Sequence, residues 1–306
     1  MDDGVCIKPA EVSRAFVLAK CSYFVDVQLW PPESRLNPDR WLSNFRDAET
    51  DHAVHLLNGF LYFSDFLVEE LFKAAFQRLS TRIGCLGRPY EAAEAHWSSF
   101  RRNVMVTRVT GETPNETDSG YTFERLARQA LGIDQSRIMS PSDALRKLLS
   151  DGPAPVLFVD DFVGSGRQCL ETWRREMNLA NGTVSSFARF STVRGNTFFY
   201  CPVVCTNPGR EAIKRECPGL DLWPAHFLSQ RYSAIAENSL IWPERLRPTA
   251  VEFLRCASKR AGILEDGWAG YKQLGLTIAF QHGVPDATLP LFYHEGNGWH
   301  PLVRRT

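Results

Sequence analysis

The chain has 306 residues, of which 44% are hydrophobic and 23% charged, and its basic and acidic side chains balance. That is enough apolar material for one large α/β domain with an appended piece, or for two small domains. A formal net charge of zero argues against a protein that coats nucleic acid and leaves a local basic patch or a partner protein as the route to it.

Met1-Asp-Asp-Gly is acidic where a secretory leader is basic, and no run is long and apolar enough for a bilayer. The eight cysteines are scattered through a chain too long to need a disulfide framework, so they read as reduced thiols. The expected location is the cytoplasm, without a membrane. Cys201, Cys205 and Cys217 lack paired-knuckle spacing, so no metal site is expected there.

Residues 1–102 read as a mainly helical layer packed on a core formed by 103–306. Pro9–Lys20 is the first helix, and Trp30-Pro31-Pro32 is a break. Asn37-Pro38 supplies a cap and first-turn pair. Val54, Leu57, Leu61, Leu71 and Phe72 recur at helical steps, predicting one long helix from Thr50 to Ser80. His52 and His55 then sit on its surface. Pro89 opens another helix that ends at Arg101-Arg102.

From Val104 the pattern changes. Val104–Val109 has strand character, Thr110–Gly120 is a polar loop, and Tyr121–Leu131 is a helix. Arg137–Met139 is a short strand, and Ser140-Pro141 opens a helix ending at Ser150. After the Val156 strand come a helix to Ala180 and an Asn181-Gly182 turn. Strands Val184–Phe190 and Phe198–Thr206 follow, then a helix from Asn207 to Pro218. Alternating strands and helices predict an α/β fold, a mainly parallel central sheet with flanking helices and right-handed crossovers. The last third is less regular: a helix over Pro248–Ala261, a strand over Leu274–Phe280, and an extended, proline-marked Pro285–Tyr293.

Val156–Gln168 is the chemical centre. It reads Val-Leu-Phe-Val-Asp-Asp-Phe-Val-Gly-Ser-Gly-Arg-Gln, an apolar strand, two carboxylates, then a glycine turn that opens a helix. The turn exposes backbone N–H groups and the helix start favours an anion, while the carboxylates accept from hydroxyls. A Walker B strand would need a phosphate loop of the Gly-x-x-x-x-Gly-Lys type, and the sequence contains none.

This run resembles the phosphoribosyl-pyrophosphate motif of type I phosphoribosyltransferases. The resemblance implies that Asp160 and Asp161 bind the ribose hydroxyls and are the catalytic residues. It also implies that Gly164, Ser165, Gly166, Arg167 and Gln168 wrap the 5′-phosphate, and that Mg²⁺ arrives on the ligand's phosphates. Gln168 departs from the pattern, because the family usually has Thr or Ser there. The pyrophosphate loop that the family needs falls on Thr110–Gly120, with Gly111, Ser119 and Gly120. Arg108 precedes it and Arg125 and Arg128 follow, but the usual basic-glycine pattern is missing, and a plain surface loop fits equally.

More widely, Trp41-Leu-Ser-Asn-Phe45, the motif itself and the tail resemble a phosphoribosyltransferase-like domain of bacterial conflict, or anti-phage, systems. The tail segments are Gly270-Tyr-Lys-Gln-Leu, Phe280–Tyr293 and Trp299-His-Pro-Leu. That resemblance implies defence partner proteins, beside a retron or a nucleotide-signalling cassette. His282 and Asp286 are candidates for an acceptor pocket or for loop residues that satisfy backbone groups. Trp268, Tyr271, Phe292 and Trp299 read as core. Three functions follow as expectations: a phosphoribosyltransferase, a nucleotide-sensing or protein-interaction module without turnover, and a nucleotide or glycosidic-bond hydrolase on the same cradle.

Overall fold

The structure is a computed structural model and describes residues 12–84, 87–111, 120–179 and 182–305. The chain divides into two compact units, Met1–Ser64 with Arg231–Thr306, and Asp65–Gln230. The division falls at Ser64 and Gln230.

The first unit begins with α1 (Arg14–Asp26), α2 (Pro38–Leu42), α3 (Thr50–Asn58) and a short strand, β1 (Leu61–Phe63). Asn37 caps α2, its Oδ1 accepting from the Arg40 N–H at 2.8 Å, with Pro38 in the first turn. The single helix expected from Thr50 to Ser80 is broken. Gly59 follows α3 in close contact with Ile241, where a Cβ would lie 2.9 Å from Cγ1. The Leu61 N–H then donates to Thr277 O at 2.8 Å, which turns the chain into a strand. An apolar run such as Leu56–Phe63 suits helix or buried strand, and its tertiary partner decides.

The second unit continues with α4 (Asp65–Arg82), α5 (Tyr90–Asn103), β2 (Met105–Arg108), α6 (Gly120–Gln129) and α7 (Pro141–Ser150). Next come β3 (Pro155–Val163), α8 (Arg167–Arg174), a small antiparallel pair β4 (Met177–Asn178) and β5 (Val184–Ser185), and α9 (Phe187–Phe190). It ends with β6 (Thr197–Thr206), α10 (Asn207–Glu216), β7 (Leu220–Leu222) and β8 (His226–Leu228). The helix after the glycine turn stops at Arg174, short of Ala180. The strand expected over Val184–Phe190 becomes a helical turn after Ser185, because the Ser186 hydroxyl caps it and buries Phe187 and Phe190.

β2, β3 and β6 are parallel neighbours, and β7 and β8 both pair parallel to β6. Pro202 lies between those two partners and has no N–H to offer, so the edge is carried by two short strands. On the other side Ile138 bridges Val106, the remnant of the strand expected over Arg137–Met139. Phe158, Phe198 and Tyr200 pack with side chains of α7, α8 and α10 on one face. The opposite face takes α4, α5 and α6, with Phe72 of α4 on Phe123 of α6 and Phe100 of α5 on Phe199. Numbered along the chain, the spatial order from the Ile138 edge is 2-1-3-4-5, a doubly wound sheet. α6 leaves β2 on one face and α8 leaves β3 on the other. The crevice of such a sheet opens between those two strand ends, and ligands bind there.

The chain returns to the first unit with α11 (Arg247–Ala261) and β9 (Ile278–Phe280), which pairs parallel to β1. The strand expected from Leu274 starts only at Ile278, because Gly275 turns the backbone with φ 57°. Trp30, Trp41, Leu57, Trp242 and Phe292 form the core of this unit. The indole N–H groups of Trp41 and Trp299 both donate to Leu291 O, at 2.8 and 3.0 Å. Asn44 exchanges two hydrogen bonds with the His300 backbone, at 2.7 and 2.8 Å. The Trp41–Phe45 and Trp299–Leu302 segments thus form one clamp. Among the described residues no helix is long and apolar enough to cross a membrane.

Candidate functional site

The crevice is lined by the last residues of β2 with Val109–Gly111, and by Asp160–Gln168 at the end of β3. Gly166 has φ 80°, the left-handed region, and stands where α8 begins. The turn is fixed from below by α10. The Thr206 hydroxyl accepts from the Gly209 N–H at 3.1 Å, capping α10, and donates to Gly164 O. Gly209 lies so close that a Cβ there would be 2.5 Å from Gly164 O. The turn is therefore held by packing and capping, with Ser165 half-buried at its tip.

The two carboxylates are not equivalent. Asp160 lies on the face of β3 that carries Val156 and Phe158 and is only 5% exposed. Its Oδ2 accepts from the Tyr200 hydroxyl at 2.9 Å and its Oδ1 from the Asp161 N–H at 3.0 Å. Burial pushes its carboxyl well above the usual range, and the neighbouring Asp161 charge adds to that. Burial also pushes the Tyr200 hydroxyl up. Asp161 is half-buried on the alternate side of the strand.

Arg167 ion-pairs with Glu171 one turn along α8, at 2.6 Å, with its side chain half exposed. Gln168 is exposed, and its Nε2 lies 3.6 Å from where a Cβ on Gly111 would be, so these two residues meet across the crevice. Two residues that the sequence did not single out join the two sides. The buried Thr172 hydroxyl accepts from the Thr110 N–H at 3.0 Å, and its one proton has Thr110 O and Gln168 O as acceptors, each at 2.9 Å. Arg175 donates to Thr110 Oγ1 at 2.6 Å and to Gly111 O. The only sequence signal for Thr172 is a polar position on the inner face of an amphipathic helix, and Arg175 follows that helix's last residue.

Arg108, the basic residue expected ahead of the pyrophosphate loop, is turned inward. It pairs with Glu124 at 2.7 Å, donates to the Tyr121 hydroxyl at 2.8 Å and lies over that ring at 3.8 Å. Gly120 is needed at this place, since a Cβ would fall 2.6 Å from the Arg108 Cβ. Burial raises the Glu124 carboxyl, opposed by Arg108. Ser119 lies outside the described residues.

His282 and Asp286 belong to the other unit. The His282 ring packs on Phe280 at 5.4 Å, and Asp286 ion-pairs with Arg305 while its carbonyl accepts from the Tyr271 N–H at 2.7 Å. Trp268, Phe292 and Trp299 are buried, whereas Tyr271 is 38% exposed on the turn after Gly270, with Lys272 beside its ring. His52 stacks on Phe253 at 4.8 Å and His55 is buried, so both are packed and not simply surface residues; burial lowers both. Cys201 faces α4, while Cys205 and Cys217 share the opposite cluster with Cys169. Among the described residues no group of three or more His, Cys, Asp or Glu side chains could hold a metal.

A doubly wound parallel sheet with an acidic pair and a glycine turn at its switch point defines a phosphoribosyltransferase-like domain. Residues 38–305 match the model of the PRTase-CE family, and the chain belongs to that family. No curated protein matches the chain.

Proposed function

We propose that the crevice between β2 and β3 binds a ligand carrying a 5-phosphoribosyl group, phosphoribosyl pyrophosphate or a nucleotide. The observation that carries this is the Gly164–Gly166 turn, locked against α10 and opening α8 beside the acidic pair. The 5′-phosphate takes backbone N–H groups of Gly164–Gln168 with Ser165 and Arg167, and the acidic pair takes the ribose hydroxyls. Gly111, facing Gln168, lets the ligand's pyrophosphate approach the backbone. The donor set suits Mg²⁺ carried by ligand phosphate oxygens and water, since Asp160 is buried and the described residues offer no carboxylate cage. Such an ion supplies charge neutralisation for a leaving pyrophosphate. The chain's own part is to orient the ribose and to place negative charge near the anomeric carbon, where positive charge develops.

Transfer of the phosphoribosyl group is the reaction this arrangement suits. Binding without turnover is the second reading, and one observation favours it: Arg108, the basic residue nearest the pyrophosphate side, is committed to Glu124 and Tyr121. The setting we infer is the cytoplasm of a bacterium under phage attack, with defence partner proteins, on the resemblance of the motif and tail. Calorimetry with phosphoribosyl pyrophosphate, ribose 5-phosphate and AMP, with and without Mg²⁺, tests the site. A ligand at a hundred times its dissociation constant adds about 2.7 kcal/mol of stability. Absence of binding by all three refutes the cradle, and pyrophosphate release separates transferase from sensor.

A further inference from the structure

Gln168 is where the Val156–Gln168 run departs from the Thr or Ser usual at that position. It is exposed in the first turn of α8. Its amide Nε2 lies 3.6 Å from the place a Cβ would take on Gly111, so the side chain reaches from the β3 side of the crevice to the segment that follows β2. A Thr or Ser hydroxyl sits directly on Cβ and is too short for that reach, whereas the Gln amide sits two carbons further out.

Both ends of this reach are fixed to one helix. Gln168 belongs to α8, and Thr110 and Gly111 are held on α8 by two further residues. The Thr172 hydroxyl accepts from the Thr110 N–H at 3.0 Å and has Thr110 O and Gln168 O as acceptors for its proton, each at 2.9 Å. Arg175 donates to Thr110 Oγ1 at 2.6 Å and to Gly111 O. One buried hydroxyl thus joins the Gln168 carbonyl to the Thr110 backbone, and the amide meets Gly111 at a spacing set by the fold. A donor held in place beforehand loses little freedom when a ligand arrives.

We propose that Gln168 is a specificity-determining residue: its side-chain amide donates to the pyrophosphate on C1 of the ligand, not to the 5′-phosphate, and selects phosphoribosyl pyrophosphate over ligands that carry the 5′-phosphate alone. This rests on the cradle reading. The 5′-phosphate takes the backbone N–H groups of the glycine turn, that of Gln168 included, which leaves the side chain for a second group. Pyrophosphate oxygens that approach Gly111, where no Cβ intervenes, meet the Nε2 donor. An amide N–H bonded to an anionic oxygen is charge-assisted, and the amide adds no charge of its own.

Calorimetry on the full chain with Mg²⁺ compares phosphoribosyl pyrophosphate with ribose 5-phosphate, which keeps the 5′-phosphate and lacks the pyrophosphate; where the second is weak, its affinity is read by competition with the first. Wild type should bind phosphoribosyl pyrophosphate at least about ten-fold more tightly, the worth of a charge-assisted hydrogen bond. Gln168→Ala should lose about ten-fold for phosphoribosyl pyrophosphate and stay within about two-fold for ribose 5-phosphate, and Gln168→Thr should behave alike. Gly111→Ala sets a methyl 3.6 Å from the amide, an ordinary contact that the fold tolerates, and should reproduce the pattern from the other side. Circular dichroism melts check that each variant is folded. An equal loss for both ligands in Gln168→Ala assigns the side chain to the 5′-phosphate and overturns the proposal. Unchanged affinity for phosphoribosyl pyrophosphate overturns it too, as does a wild type that does not distinguish the two ligands. Wild-type protein that binds neither ligand overturns the cradle reading and this proposal with it.

Discussion

Thr172→Val tests how the two sides of the crevice are joined. The substitution keeps shape and volume but removes the hydroxyl that accepts from the Thr110 N–H and shares its proton between Thr110 O and Gln168 O. Thr172 is 1% exposed and Thr110 3% exposed, so water does not readily replace those bonds. Each backbone group left unpaired costs about 1–3 kcal/mol, so losing both costs up to about 2–6 kcal/mol if both stay dry. Against a total stability of about 5–15 kcal/mol that is a large loss, and part of it should appear locally, as release of Thr110–Gly111 from α8. Hydrogen exchange at the Thr110 amide measures it directly, with about ten-fold faster exchange for each 1.4 kcal/mol of lost protection. Thr172→Ser keeps the hydroxyl and should retain most of the protection. If the Thr110 amide in Thr172→Val stays as protected as in wild type, and the unfolding free energy in urea changes by less than about 0.5 kcal/mol, the clamp does not hold the crevice.

Gly209→Ala puts a methyl 2.5 Å from Gly164 O and 2.7 Å from Val163 Cγ1, so it should destabilise by roughly 1–3 kcal/mol and weaken phosphate binding. Calorimetric melting with ligand titration checks both. Glu124→Gln leaves the Arg108 guanidinium buried without its counter-charge and should cost about 3 kcal/mol in urea unfolding; a cost below about 1 kcal/mol would mean that water already reaches the pair. Asp160 gives a pH dependence of definite sign. Its folded value lies above the unfolded one, so the native chain holds the extra proton and stability falls as pH rises from about 4 toward the folded value. The slope is up to about 1.4 kcal/mol per pH unit, and unfolding of Asp160→Asn against pH should lack that component.

Much of the α/β unit was legible because its signals are local. The apolar run from Val156 and the Pro141 and Pro208 helix starts each mark their element from local sequence. Features that depend on a distant partner were not legible. Thr172 and Arg175 matter because Thr110 and Gly111 meet them, and nothing in their own segment says so. The Thr50–Ser80 run satisfies a helical period on both sides of Gly59, and only pairing of Leu61–Phe63 with Ile278–Phe280 shows that it is broken. The seam between Trp41–Phe45 and Trp299–Leu302 is likewise invisible until both ends meet at Leu291 O.

The acidic pair sits between these cases. Its place at a strand end was readable, and strand alternation alone forbids both side chains from facing the same way. What decides which carboxyl goes inward is register. Phe158 stands opposite Tyr200 and Asp160 opposite Pro202, so the Tyr200 hydroxyl, on the Phe158 face, reaches the buried acid. Pro202 has no N–H, and β6 has exchanged one edge partner for another at that level. The cradle is thus built where the sheet is least regular. A buried acid there costs stability that a plain apolar strand end would keep, the kind of cost that concentrates at functional sites.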